Sequence, residues 1–363
     1  MAFVTHVSTV VPSHSITQVR AATLLTRAFG LDRARSDVLE EVCSNAKIAR
    51  RCTVLAPDML EERRSLSTTM GLYREHAARL AALAVTGCLR AADLPPHAID
   101  FVITSSCTGV MLPSLSAMIV DSVALRSDVR RLPITELGCA GGASALARAY
   151  EFVRGFPEAN VLVVAVELPS LTLQHDDTSS ANLIASAIFG DGAAAVLIRG
   201  NADSGLEIID TRTEMFPDSL DKMGFDLRDR GLHVVLSPHV PRLLAEHTPR
   251  LVERLLHQHA LTSDNLDFYA IHPGGRRLLE ALQDALELDE VATRHSWDVL
   301  RDYGNQSSAS VLFVLARLLE QVDGPDGPRG HGILGAFGPG ITAEFALLRT
   351  VAKHARPARG APC

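Results

Sequence analysis

Long apolar runs are missing from this 363-residue chain. Nothing reaches the ~18 uninterrupted apolar residues of a membrane span, and Arg79 and Arg90 break up the best candidate. No integral membrane segment is therefore expected. Positive charge is in deficit, with 35 Lys+Arg against 42 Asp+Glu and a net charge of −7. The electrostatic footprint of a general nucleic-acid binder is thus absent. Paired cysteines are lacking too: Cys43, Cys52, Cys88, Cys107, Cys139 and Cys363 form no C-x-x-C, and none has zinc-finger spacing with a histidine. The first residues, Met1 to Val7, carry no basic stretch ahead of an apolar one, so no secretory leader is expected. Aromatics make up only 5% of the chain.

What is present is 47% hydrophobic and 21% charged, too apolar for disorder. The length is that of two domains with ample core. The expectation is a cytoplasmic globular protein whose cysteines are free thiols, serving either packing or chemistry. His257-Gln-His259 and His175-Asp-Asp177 read as solvated surface, and no metal is expected.

The chain repeats itself. Leu94-Pro-Pro-His-Ala-Ile-Asp-Phe-Val-Ile-Thr resembles Leu261-Thr-Ser-Asp-Asn-Leu-Asp-Phe-Tyr-Ala-Ile. Each copy follows a helix-like stretch (74–92 and 240–259) and enters a short apolar run that reads as a buried strand. Thirty-nine residues after Asp100 comes Cys139 in Gly138-Cys-Ala-Gly-Gly142, opening a helical pattern. Thirty-eight residues after Asp267 comes Asn305 in Gly304-Asn-Gln-Ser-Ser308, opening another. Buried strands follow at Val161–Val166 and Gly332–Phe337. Alternating strand and helix predicts an α/β fold with covered sheets. Agreement over three successive elements favours duplication over chance. The halves are placed at 1–205 and 206–351, with Gly200–Gly205 as the linker and a flexible basic tail at 352–363.

Duplication puts Cys139 and Asn305 at matching loop-to-helix junctions, with His272 ending a strand of the second half. A thiol at a helix start feels the positive end of the dipole, which favours thiolate, and a nearby imidazole would store a Cys⁻/His⁺ pair. Taken singly, each residue has a plainer reading: a buried Cys, a core His, and an Asn serving as helix N-cap.

Together, Gly138-Cys139-Ala-Gly-Gly142, Phe189-Gly-Asp-Gly192, His272-Pro-Gly-Gly275, Gly304-Asn305 with Ser307-Ser308, and Phe337-Gly-Pro-Gly340 resemble the type III polyketide synthases. These are the chalcone synthase-like members of the thiolase-fold superfamily. The resemblance runs from about residue 40 to 350. It implies a five-layered αβαβα fold of two duplicated halves. It also implies a catalytic trio: Cys139 as nucleophile toward an acyl-CoA thioester, with His272 and Asn305 as donors to the enolate formed when malonyl-CoA loses CO₂. No metal or redox cofactor is implied, the coenzyme A thioesters being substrates, and the family is homodimeric.

Further roles follow from the resemblance alone. Phe189 matches a gatekeeper at the junction of tunnel and cavity, and Val234 stands where plant enzymes carry a second phenylalanine. Cys107 replaces a threonine of many plant members, as in several bacterial relatives. Thr172, Ala185, Phe225 and Ser307 are placed along the cavity, and Leu112 on a loop that reaches the partner subunit. Lys47, Arg50, Arg51, Arg276 and Arg277 are the candidates for gripping CoA phosphates, although a basic cluster is commonly a solvated face. The Met223–Leu236 segment is similar to bacterial alkylresorcinol and alkylpyrone synthases. The leading expectation is therefore a fatty acyl starter extended and cyclised to an alkylpyrone or alkylresorcinol. The alternatives are a malonyl-primed tetrahydroxynaphthalene or phloroglucinol synthase, a single-round ketoacyl synthase, a Cys-His-Asn thioester hydrolase, and an inactive acyl-binding scaffold.

Overall fold

The computed structural model describes residues 1–324 and 327–352. The expected flexible tail, Cys363 included, lies outside the described residues but for Ala352. In chain order the strands are β1 (Phe3–Val10), β2 (His14–Thr17), β3 (Arg50–Thr53), β4 (Phe101–Ser105), β5 (Arg130–Ile134), β6 (Asn160–Glu167), β7 (Gly192–Arg199), β8 (Gly205–Met215), β9 (Met223–Arg228), β10 (Gly231–Leu236), β11 (Leu266–Ile271), β12 (His331–Gly338) and β13 (Thr342–Val351). The helices are α1 (Gln18–Phe29), α2 (Arg33–Asn45), α3 (Leu66–Ala91), α4 (Leu115–Ser122), α5 (Gly141–Gly155), α6 (Ser180–Ile188), α7 (Val240–His257), α8 (Arg276–Ala285), α9 (Arg294–Tyr303) and α10 (Ser310–Gln321).

Nine strands hydrogen-bond in the order β11-β12-β13-β8-β1-β7-β6-β4-β5. The middle of that order is a seam. There β1 meets β8 through only Phe3↔Glu207 and Val4↔Leu206. On either side the pattern repeats: β6 and β4 run parallel beyond antiparallel β7, as β12 and β11 do beyond antiparallel β13. This is the duplication read from the sequence. Both copies of the repeated motif form a single 3₁₀ turn, Pro96–Ala98 and Ser263–Asn265, and then a strand.

Strand alternation sets the layers. Along β6, Val161, Val163 and Ala165 face one core and Leu162, Val164 and Val166 another. In β11, Phe268 and Ala270 share that first core, and Tyr269 and Ile271 turn away from it. The shared core is filled by α5 and α10, whose leading turns are buried all round, from Gly141 to Ala147 and from Ser310 to Leu315. A helix without a polar stripe belongs in such an interior. The outer faces are covered by α3 in one half and by α7 and α8 in the other. The result is a five-layered αβαβα, thiolase-like fold. Both central helices begin at 3₁₀ turns, Gly138–Ala140 and Ser307–Ala309, which the duplication brings to one end of the shared core.

Candidate active site

Cys139 sits inside the 3₁₀ turn that leads into α5. Gly138 before it has φ +48°, and a Cβ there would come within 2.6 Å of Pro339 Cδ. Only glycine lets the turn lie this close to the Phe337-Gly-Pro-Gly340 loop. His272 directly follows β11, where its N–H extends the strand pairing to Gly335 O at 2.8 Å. Its ring is 1% exposed, and neither ring nitrogen has a hydrogen-bond partner among the described residues. An unpartnered buried imidazole is costly unless a ligand completes it. Asn305 is buried, accepts from Ser307 N at 2.8 Å through Oδ1, and donates Nδ2 to Gly274 O at 3.0 Å. It thus serves as a turn cap, and its side chain also hydrogen-bonds to Cys139, which lowers the thiol's pKa.

The three line one cavity of about 130 Å³. Phe189, Thr172, Ala185, Phe225, Val234 and Ser307 line it as well. Phe225 and Val234 do so as a directly opposed pair in the β9–β10 hairpin. Much of the rest of the wall is apolar, with Ile16, Ala21, Leu24, Leu25 and Leu60 among its residues, and Arg51, Thr53, Thr108, Ser170, Asn182 and Ser186 add polar atoms. Sequence reasoning did not reach these N-terminal positions, because nothing local ties α1 to Cys139.

Burial of the site opposes the expected stored ion pair. Burial pushes the Cys139 thiol up to about 11; the Ser307 hydroxyl at 3.6 Å opposes this and the charge of Glu167 adds to it. Burial pulls the His272 imidazole down to about 3. Enclosure penalises thiolate and imidazolium alike.

Two further expectations are corrected. Cys107 does not line the cavity: it stands behind Ser307, whose Oγ is 3.4 Å from its Sγ. Arg51 is no surface phosphate grip. It is 7% exposed, and its guanidinium is hydrogen-bonded to Gln18, Ser186 and Phe189 inside the protein. Lys47, Arg50 and Arg277 are exposed, outside the cavity wall. Arg276, half-buried, pairs with Glu280 at 2.7 Å and donates to Asn45 O at 3.3 Å. Leu112 is 88% exposed and touches no part of this chain's own cavity.

Glu167 escaped the sequence reading. It ends β6 fully buried, accepting from Cys107 N at 3.1 Å, Thr108 Oγ1 at 2.9 Å and Ser308 Oγ at 2.5 Å. It ties the Cys107 loop of one half to the Ser308 turn of the other. Burial raises its pKa, against the pull of those donors. The available signal was an acid directly closing the apolar run Val161–Val166.

A duplicated αβαβα scaffold that gathers a cysteine, a histidine and an asparagine around one cavity defines a condensing enzyme of the thiolase-like class. The family models for the N-terminal and C-terminal domains of chalcone and stilbene synthases match residues 1–202 and 207–352. The chain belongs to the chalcone and stilbene synthase family, the type III polyketide synthases, and is an acyl-CoA condensing transferase. It is 35% identical to the 1,3,6,8-tetrahydroxynaphthalene synthase of Streptomyces coelicolor, covering 96% of this chain and 92% of that one. It is 32% identical to the phloroglucinol synthase of Pseudomonas fluorescens, covering 93% and 95%. The crystal structure of the Streptomyces coelicolor tetrahydroxynaphthalene synthase superposes with a TM-score of 0.91 at 33% identity, covering 96% and 99%. That of PKS-I from the brown alga Ectocarpus siliculosus gives 0.91 at 27%, covering 96% and 98%. Among the described residues no helix is long and apolar enough to cross a membrane.

Proposed function

We propose that this enzyme loads an apolar acyl group from coenzyme A onto Cys139, extends it iteratively with malonyl-CoA, and cyclises the product to an alkylpyrone or alkylresorcinol. The carrying observation is the convergence of a half-buried thiol, an unpartnered imidazole and the Asn305 amide on one largely apolar cavity. In loading, the Cys139 sulfur bonds to the acyl carbonyl carbon as CoA departs. The thiol proton passes to neutral His272 and on to the leaving thiolate. In extension, the bond from malonyl Cα to its carboxyl carbon breaks and CO₂ leaves. The electron pair is held as an enolate whose oxygen takes the imidazole N–H and the Asn305 N–H that otherwise faces Cys139. The enolate carbon then attacks the acyl carbonyl and expels Cys139. Lys47, Arg50, Arg276 and Arg277 are the cations proposed to meet the CoA phosphates.

The largely aliphatic wall supports an alkyl starter. The printed names of the two relatives above favour a second reading, priming by malonyl-CoA itself. A homodimer is proposed at the open edge formed by β5, beside the exposed Val110 and Leu112. The test is mass spectrometry of products from malonyl-CoA alone and with straight-chain acyl-CoAs of increasing length, beside Cys139→Ala. Alkylated products that require both a starter and Cys139 are expected. An aromatic product from malonyl-CoA alone establishes the second reading. Free acid without extension refutes both.

A further inference from the structure

The α6 helix ends beside the cavity, and its last carbonyl groups need partners. Four consecutive oxygens are each taken. Ser186 O and Phe189 O accept from Arg51 Nη1 at 2.7 and 2.6 Å. Ala187 O accepts from Gln18 Nε2 at 2.6 Å, and Gln18 Oε1 in turn accepts from Arg51 Nε at 3.2 Å. Ile188 O accepts from the backbone N–H of Asn305 at 2.8 Å, while Asn305 O accepts from Gly190 N at 2.9 Å. Phe189 and Asn305 therefore form one bridge between the two halves, and Arg51 holds it from beneath.

The fit is close. The Arg51 stem passes between two glycines: a Cβ at Gly190 would lie 3.3 Å from Arg51 Cβ, and one at Gly304 3.0 Å from its Cγ and Cδ. No carboxylate lies within ion-pair distance of the guanidinium among the described residues. The buried cation is instead matched to carbonyl dipoles at the negative end of α6, with its fork spread over two elements.

We propose that Arg51 is a positioning residue that fixes Phe189 and Asn305 relative to each other, so that the mouth of the cavity and the oxyanion donor keep a single geometry. This rests on the reading of the site given above. A misplacement of about 1 Å at such a donor costs roughly 100-fold in rate. A neutral side chain of similar length fills the channel but supplies no donors, and a lysine supplies charge without the fork.

The test compares Arg51→Met, Arg51→Ala and Arg51→Lys with the wild type. The readouts are thermal unfolding, kcat and KM for malonyl-CoA, and the rate of Cys139 alkylation by iodoacetamide. Arg51→Met is expected to stay folded, to lose about 100-fold in kcat with KM much less affected, and to alkylate Cys139 several-fold faster through a loosened mouth. Millimolar guanidinium, but not sodium at equal ionic strength, should restore kcat and slow alkylation in Arg51→Ala. Arg51→Lys should lose activity as pH rises over a range where the wild type is flat, because a buried ammonium has a lowered pKa. A folded Arg51→Met with wild-type kcat and alkylation rate overturns the proposal. So does a loss that merely tracks unfolding, with no rescue by guanidinium. If Arg51→Met does not fold, Gln18→Leu, which keeps the cation and removes its neighbour, must show the same changes at smaller amplitude or the proposal falls. Alkylation is read without any polyketide product, so failure of the wild type to condense would refute the functional reading while leaving this one to be judged on its own data.

Discussion

Replacing Val234 with phenylalanine should shorten the starter that the enzyme accepts. Val234 is half-buried and faces the cavity opposite Phe225 across the β9–β10 hairpin. The substitution adds about four heavy atoms to the wall of a cavity of about 130 Å³. The fold should tolerate it, because a directly opposed aromatic pair contributes about 0.2–1 kcal/mol to a hairpin. The longest acyl chain taken should therefore shrink by about four carbons, with short starters turned over at near wild-type rates. The assay is a competition among straight-chain acyl-CoAs from acetyl to palmitoyl, with malonyl-CoA in excess and products resolved by mass spectrometry. Melting temperatures of both proteins serve as the control. An unchanged distribution of chain lengths in a folded variant would refute the assignment of Val234 to the starter's path. A uniform loss across all starters would refute the volume argument, since it would mean that the catalytic groups had moved.

Three other outcomes follow from the protonation states and buried contacts. With a resting thiol near 11, about one Cys139 in ten thousand is thiolate at neutral pH, so alkylation by iodoacetamide should climb about tenfold per pH unit from 7 to 9; a plateau there would restore the stored ion pair. Asp191, which accepts from Val54 N at 2.7 Å and Ser170 N at 2.9 Å, is raised by burial from 3.8 to about 6. A raised carboxylic acid contributes stability below its unfolded pKa and loses it as pH rises through the folded one, here about 3 kcal/mol between pH 4 and 6. The melting temperature of Asp191→Asn should lack that slope, and a parallel pH dependence in both proteins would disprove the assignment. Glu167→Leu would strand buried donors on Cys107, Thr108 and Ser308, at about 1–3 kcal/mol each; a denaturant midpoint within error of wild type would show that these groups find other partners.

Much of this molecule was legible in one dimension because its signals are local. Strand runs such as Val161–Val166, the turn chemistry of the His272-Pro-Gly-Gly275 segment and the glycines around Cys139 are each short-range requirements, and the repeat made the layered duplication readable. Cys139, His272 and Asn305, which line one cavity, were legible for the same reason, since each sits where a strand ends or a loop enters a helix. What the sequence did not contain was direction. Arg50 and Arg51 are adjacent cations, and only the alternation of β3 within the finished fold sends one to solvent and the other under Phe189. Cys107 and Ser307 both carry a polar atom toward the nucleophile, yet packing lets only Ser307 reach the cavity. The protonation states were decided there too. A helix-terminal cysteine near a histidine reads as an ion pair along the chain, but burial in the finished fold disfavours both charges. Local pattern therefore marked the groups proposed to carry the chemistry. Burial, which exists only once distant segments close around them, determined the state in which they wait.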